Sequence, residues 1–251
     1  MTDVLVTGAA GKMGSLSATT IAAQPDMRVV ALVDPRPARL GDVPCFASVA
    51  EALTLTSPEA ALEFSLPQAV FENTRALLEA GGPTVVGTTG LSDEQVAALS
   101  ATAAARDVGL VIVPNFALGA VLLMRFAAEA ARYYAHAEIV EMHDAGKKDA
   151  PSGTSLRTAR LMAEAPGAAL APAPGAGHPA RGQMSHGVPI HSVRLPGLVA
   201  HQEVVFGGDD EVLTLRHDSL SRRSFMAGVL LALRKVREVK GTVVGLENLL
   251  T

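Results

Sequence analysis

Short apolar runs alternate with longer stretches of helical spacing over about the first 115 residues. Asp3 to Thr7, RVVALVD ending at Asp34, EAALEFS, PTVVGTTG and LVIVPNF read as strands. Most are almost wholly apolar, as strands buried on both faces are. Between them SLSATTIAAQ, PQAVFENTRALLEAG with Gly81 as its stop, and SDEQVAALSATAAARDVG read as helices. Ser92 is a candidate N-cap, with Asp93 and Glu94 favourably placed in the first turn. Strand and helix in alternation need right-handed crossovers, so this part is expected to be α/β, a parallel sheet with helices on both faces.

The rhythm changes after Phe116. A helix is expected from about Leu118 to Tyr134, then a half-exposed strand in HAEIVEMHD, then a helix in SLRTARLMAEA. Residues 165–181, rich in Ala, Pro and Gly, read as a surface loop. IHSVRLPG, LVAHQEVVFGG and DEVLTLRHD are expected to be antiparallel strands joined by glycine turns. SRRSFMAGVLLALRKVREV then makes a helix that returns to the first part. The expected division is therefore 1–116 with 219–251, and 117–218.

Composition narrows the function. The 251 residues suffice for two domains, and 21 Lys and Arg against 25 Asp and Glu leave a net charge of −4 with no basic block. That excludes a phosphate-backbone footprint and favours a small-molecule partner over nucleic acid. The single Cys45 allows no internal disulfide and reads as a buried small hydrophobe. The amino terminus lacks the apolar core of a signal peptide, and the longest greasy run, FALGAVLLMRFAAEAA, carries Arg125 and falls short of the ~20 apolar residues of a membrane span. A cytoplasmic protein is expected.

Gly8, Gly11 and Gly14 follow the first strand and open a helix. A loop of this kind aims backbone N–H groups and a helix amino end at a pyrophosphate, and a side chain would block the approach. Ala9, Ala10, Lys12 and Met13 complete it. Asp34, at the end of the second strand, is where an acid accepts hydrogen bonds from an adenosine ribose, which favours NADH. Arg36 and Lys12 are cations able to meet the 2′-phosphate of NADPH, so both coenzymes remain open. Gly87, Thr88 and Thr89, and Val113, Pro114, Asn115 and Phe116, follow later strands and are expected to line the same crevice. Each loop could also be a tight turn without a ligand.

The stretch EMHDAGKKDAPSGTS, Glu141 to Ser155, concentrates polar chemistry in apolar surroundings. Lys147 can hold a substrate carboxylate or give up a proton, and His143, four residues earlier, can act as acid or base. Ser152, Gly153 and Thr154 precede a helix, so hydroxyls and N–H groups converge on a natural carboxylate site. Asp149 to Pro151 shape the turn. The plain alternative is a solvated lysine pair and an ordinary N-cap; the upstream glycine loop tips the balance toward a site. Arg194 is one more cation able to face an anion. The remaining histidines have no zinc-like spacing and no metal is expected; His191, His201 and His217 read as sheet residues.

VTGAAGKMG, EFSLP, VVGTTGLS, VPNFALG, EIVEMHDAGKKDAPSGTS, IHSVRLPGLVAHQEVVFG and LRHDSLSRRSFMAGVLLAL together resemble the 4-hydroxy-tetrahydrodipicolinate (dihydrodipicolinate) reductase family, in the family's order and over nearly the whole chain. The resemblance implies a Rossmann-like nicotinamide domain closed by the carboxyl-terminal helix, and a mixed α+β domain that binds substrate and builds a homotetramer. It implies reduction of (2S,4S)-4-hydroxy-2,3,4,5-tetrahydrodipicolinate by NADH or NADPH with loss of water, in lysine biosynthesis through diaminopimelate. By position His143 matches the catalytic histidine, Lys147 the proton-donating lysine, and Gly153 and Thr154 the substrate-carboxylate contacts. Gly8 to Met13, Asp34, Gly87 to Thr89 and Val113 to Phe116 match cofactor contacts. Three positions depart from the pattern: Lys12 replaces Arg, Asp34-Pro35-Arg36 replaces the acidic pair, and Asp144 stands where a second histidine touches substrate. An acid beside a dicarboxylate is electrostatically unfavourable, so the Asp144 carboxylate is expected to turn away or bond to a neighbour.

Overall fold

In the computed structural model, which describes residues 1–171, 175 and 177–250, the chain divides into two compact units, Met1–Phe116 with Phe225–Thr251, and Ala117–Ser224. The first runs β1 (Thr2–Thr7), α1 (Lys12–Ala22), β2 (Met27–Val33), β3 (Cys45–Phe46), α2 (Val49–Leu55), β4 (Ala60–Glu63), α3 (Val70–Glu79), β5 (Thr84–Val86), α4 (Asp93–Ala105) and β6 (Gly109–Ile112). The second holds α5 (Leu118–Ala130), β7 (His136–His143), α6 (Gly153–Glu164), β8 (Gln183–Ser185), β9 (Val188–Arg194), β10 (Ala200–Gly208) and β11 (Glu211–Ser219). The chain then returns to the first unit with α7 (Met226–Val236) and β12 (Gly241–Val244).

The first unit is a seven-stranded, wholly parallel sheet in the order β12-β6-β5-β4-β1-β2-β3. Val4, Leu5 and Val6 of β1 and Ala60, Ala61 and Leu62 of β4 are fully buried, as helices on both faces require. Ser92 caps α4 in a capping box with Gln95. α7 packs on β4, β5, β6 and α1, and it sits close because two glycines permit it. A Cβ on Gly228 would lie 2.1 Å from the Phe116 carbonyl, and one on Gly109 2.1 Å from that of Val236. The strands β3 and β12 and the helix α2 are additions to the sequence-based outline. Cys45 is exposed and not buried as expected, because β3 is a two-residue edge strand whose Phe46 turns inward instead.

The second unit is a five-stranded mixed sheet, β11-β10-β7-β9-β8, in which only β7 and β9 run parallel. The expectation of consecutive antiparallel strands holds for β10 and β11, but β9 does not pair with β10. The crossover through α6 brings β9 back parallel to β7, and β7 takes the central place. Leu123 and Ala127 of α5 and Met162 of α6 pack on Ile139, Ile190, Val204 and Phe206, so both helices cover one face. Of the expected surface loop 165–181, residues 169–171 are tied down. Ala169 and Ala171 donate to the carbonyls of Ala131 and Ala135 at 2.9 and 2.8 Å, and Leu170 packs against the core. Residues 172–174 and 176 lie outside the described part. Residues through Ser219 complete β11, and the return to the first unit begins at Phe225 where 219 was expected.

Candidate functional site

In the first unit β1 and β4 are neighbours whose connections leave in opposite directions, which is where an open α/β sheet offers its carboxyl ends to a ligand. Gly8, φ +62°, turns the chain there, and the amide of Gly11 closes the turn on its carbonyl at 2.9 Å. A Cβ on Gly8 would stand 2.1 Å from the Phe64 carbonyl and one on Gly14 2.1 Å from that of Gly8. The glycines thus let loop, α1 and β4 meet backbone to backbone. Gly11 caps α1 without a side-chain bond, and no acid occupies the first turn, so the helix's positive end keeps its field. Within the loop Ala9 is buried, Ala10 and Met13 half-buried, and Lys12 exposed.

Asp34 lies just past β2 and accepts from the Ala10 amide at 3.1 Å and from the amide and Nε of Arg36 at 2.9 and 3.2 Å. Burial pushes its carboxyl up, yet the Arg36 and Ala10 donors outweigh burial and hold it below the usual carboxylate value. The Arg36 side chain is 68% exposed while that of Asp34 is 4% exposed, so acid and cation share one corner with the cation outermost. Gly87 leaves room for the rings of Phe64 and Phe116, which meet edge to face at 5.5 Å. Thr88 donates to the Ser65 carbonyl at 3.1 Å, and Val113 to that of Val86 at 2.8 Å. Thr89 and Pro114 are exposed, Asn115 half-buried.

In the second unit β7 delivers the chemistry. Ala137, Ile139, Glu141 and His143 alternate onto the face that the helices cover. Glu141 is fully buried and takes both Nη atoms of Arg194, at 2.7 and 2.9 Å, the Nδ1 of His143 at 2.5 Å and the amide of Ser152 at 3.2 Å. Burial raises the Glu141 carboxyl, but Arg194, Ser192 and His143 hold it below its ordinary value. Burial pushes His143 below 6.5; Glu141 opposes that shift, while Lys147 and Arg194 reinforce it. Lys147 Nζ meets both oxygens of Asp149 at 2.8 and 2.7 Å, and Arg194 also donates to the Asp149 carbonyl at 2.8 Å. The Ala150–Pro151 peptide in this turn is cis. Asp144 accepts from the Gly146 amide at 2.9 Å, bonding to a neighbour within its own loop.

Ser152 caps α6 by accepting from Ser155 N at 3.2 Å. Its hydroxyl meets that of Ser155 at 2.8 Å, Ser155 donates to Gln202 Oε1 at 2.7 Å, and Gln202 donates to Thr158 at 2.8 Å. This buried relay locks the amino end of α6 to the sheet, because releasing any partner would strand another buried hydroxyl or amide. Gly153 is exposed, and a Cβ there would meet nothing within 4 Å. Thr154 is half-buried beside it.

The sequence reading missed Glu141, Ser155, Thr158 and Gln202. Glu141 left a signal: an acid on the buried face of an alternating strand demands partners. Gln202, directly opposite Glu141 in the ladder, left none before the pairing was known. His191 and His201 are sheet residues paired with Glu138 at 2.7 Å and Asp218 at 2.6 Å. His217 packs under Gly119, where a Cβ would stand 2.4 Å from the ring. Among the described residues no group of three or more His, Cys, Asp or Glu could hold a metal ion, and no helix is long and apolar enough to cross a membrane.

Two family profiles match the chain, "Dihydrodipicolinate reductase, N-terminus" over residues 2–116 and "Dihydrodipicolinate reductase, C-terminus" over 119–250. It is 47% identical to the 4-hydroxy-tetrahydrodipicolinate reductase of Moorella thermoacetica, over 98% of this chain and 97% of that one. It is 48% identical to that of Streptococcus pneumoniae serotype 19F, over 98% of each. The dipicolinate-bound dihydrodipicolinate reductase from Paenisporosarcina sp. TG-14 superposes with a TM-score of 0.90 at 40% identity, covering 99% of both chains.

Proposed function

The chain belongs to the dihydrodipicolinate reductase family, and from that premise we infer both its reaction and the share of each residue in it. It reduces 4-hydroxy-tetrahydrodipicolinate to tetrahydrodipicolinate with loss of water, in lysine biosynthesis through diaminopimelate. A nicotinamide dinucleotide supplies the hydride when bound. The tight backbone turn of Gly8, Gly11 and Gly14, which opens α1 with no side chain bonded across its amino end, suits its pyrophosphate.

The observation that carries the substrate assignment is Gly153. Its φ is not in the left-handed region and a Cβ there would meet open space, so the fold does not require glycine. A ligand approaching the backbone at the amino end of α6 does. One substrate carboxylate lies on the Ser152–Gly153–Thr154 turn, where helix dipole and N–H groups favour an anion. Hydride addition with departure of the hydroxyl as water consumes one proton, which Lys147 gives, while His143 bears on the same ring. Asp144 is turned into its own loop by Gly146 and keeps its charge off the dicarboxylate.

Asp34 receives the adenosine ribose hydroxyls, and Arg36, outermost beside it, meets the 2′-phosphate of NADPH. We propose that both coenzymes are accepted. The face of the second sheet turned away from α5 and α6 carries Val140, Met142, Val193 and Val205 among Glu138, His191, His201 and Glu203. That face supports the homotetramer, and a place in amino-acid biosynthesis supports a cytoplasmic enzyme. Calorimetric titration with dipicolinate tests the substrate site. Binding to the wild type that is lost in Lys147→Ala is expected; equal binding by both would remove Lys147 from it.

A further inference from the structure

We propose that Glu141 is the positioning residue of the substrate site: its carboxylate fixes the ring proton of His143 on Nδ1, leaves Nε2 proton-free, and holds Arg194 and the start of α6 in the same register. This rests on the reading of His143 and the Ser152 turn as the substrate site.

An ionised carboxylate only accepts hydrogen bonds, so the imidazole nitrogen facing it carries the proton. Glu141 is held ionised by a two-pronged contact with Arg194, and both its oxygens are engaged, Oε1 by Arg194 and the Ser152 amide and Oε2 by Arg194 and His143, with Ser192 a further donor. Fully buried and fully engaged, it acts through its neighbours and not on substrate. The charges around His143 come from three elements: Glu141 on its own strand, Arg194 on β9, and Lys147 in the following loop. Arg194 neutralises Glu141, so the pair fixes the tautomer without drawing the imidazole into its cationic form. A free imidazole keeps its proton mainly on Nε2, so the site inverts the ordinary preference. The consequence is a division of labour. Lys147 is the donor, and His143 presents a lone pair that accepts a hydrogen bond or a proton.

Long-range 1H–15N spectra of histidine-labelled protein at neutral pH, with His143 assigned by its loss in His143→Gln, read the tautomer directly. A proton-bearing Nδ1 and a bare Nε2 are expected in the wild type; a proton on Nε2 overturns the proposal, and this arm needs no altered core. In Glu141→Gln the ring should shift toward the Nε2–H form, with kcat falling by at least about 10²-fold, KM changing much less, and Glu141→Asp recovering part of the loss. An unchanged tautomer and an unchanged pH profile of kcat/KM in Glu141→Gln would likewise overturn it. The spectra stand apart from turnover: a wild type with the Nδ1–H tautomer but no dicarboxylate-dependent NADH oxidation would defeat the proposed reaction and leave the tautomer assignment intact.

Discussion

Lys147 reaches both oxygens of Asp149 at 2.8 and 2.7 Å, two residues along its own loop, so its ammonium is held in place at that turn. Replacing Lys147 by Ala is expected to lower kcat/KM by roughly 10²-fold or more in steady-state assays, the usual worth of a placed proton donor. An unchanged rate would take Lys147 out of the mechanism. On the coenzyme side Arg36 is mostly exposed and Asp34 mostly buried, so the two are separable by mutation. Arg36→Ala should raise KM for NADPH more than KM for NADH; equal changes would end the role assigned to it. At this scale the sequence was legible where chemistry is local. Lys147, His143 and the Ser-Gly-Thr turn lie within one short stretch, and Asp144 does bond within its loop. Glu141 has meaning only through Arg194, 53 residues away, and that partnership is set by the β7–β9 pairing.

Elements show why two glycines of one chain mean different things. Gly14 is demanded by packing, since its Cβ would overlap the Gly8 backbone, whereas Gly153 is demanded by nothing in the fold. Gly153→Ala is therefore expected to leave Tm unchanged or slightly higher, as a helix position gains alanine, while KM for the dicarboxylate rises at least about tenfold. A lower Tm with normal KM would make Gly153 a structural residue. Periodicity revealed the long elements, because strands buried on both faces and amphipathic helices leave strong patterns. It missed β3, β8 and β12, which are two to four residues long, too short to carry a period. It also misplaced β9, because nothing local in a strand says which neighbour it will pair with.

For the molecule as a whole, two half-buried histidines make stability depend on pH. Burial pushes both His143 and His217 below 6.5, so the unfolded chain binds more protons than the folded one as pH falls past that value. Their contribution is complete above 6.5 and is lost progressively below it; lowered carboxyls at Glu141, Asp34 and Asp218 extend the loss toward more acid pH. Tm should fall steadily from pH 7.5 to 5, and a constant Tm over that range would contradict the assignment of both imidazoles as neutral. The two-part organisation was visible in the change of rhythm at Phe116, and the return of the last helix in its greasy face. The reaction itself is read by following absorbance as NADH or NADPH is oxidised with substrate generated enzymatically from pyruvate and aspartate semialdehyde. Oxidation that requires the generated dicarboxylate is the predicted result. No oxidation of either coenzyme in its presence, by protein that binds dinucleotide, would rule the reaction out and leave a nicotinamide-binding sensor in its place.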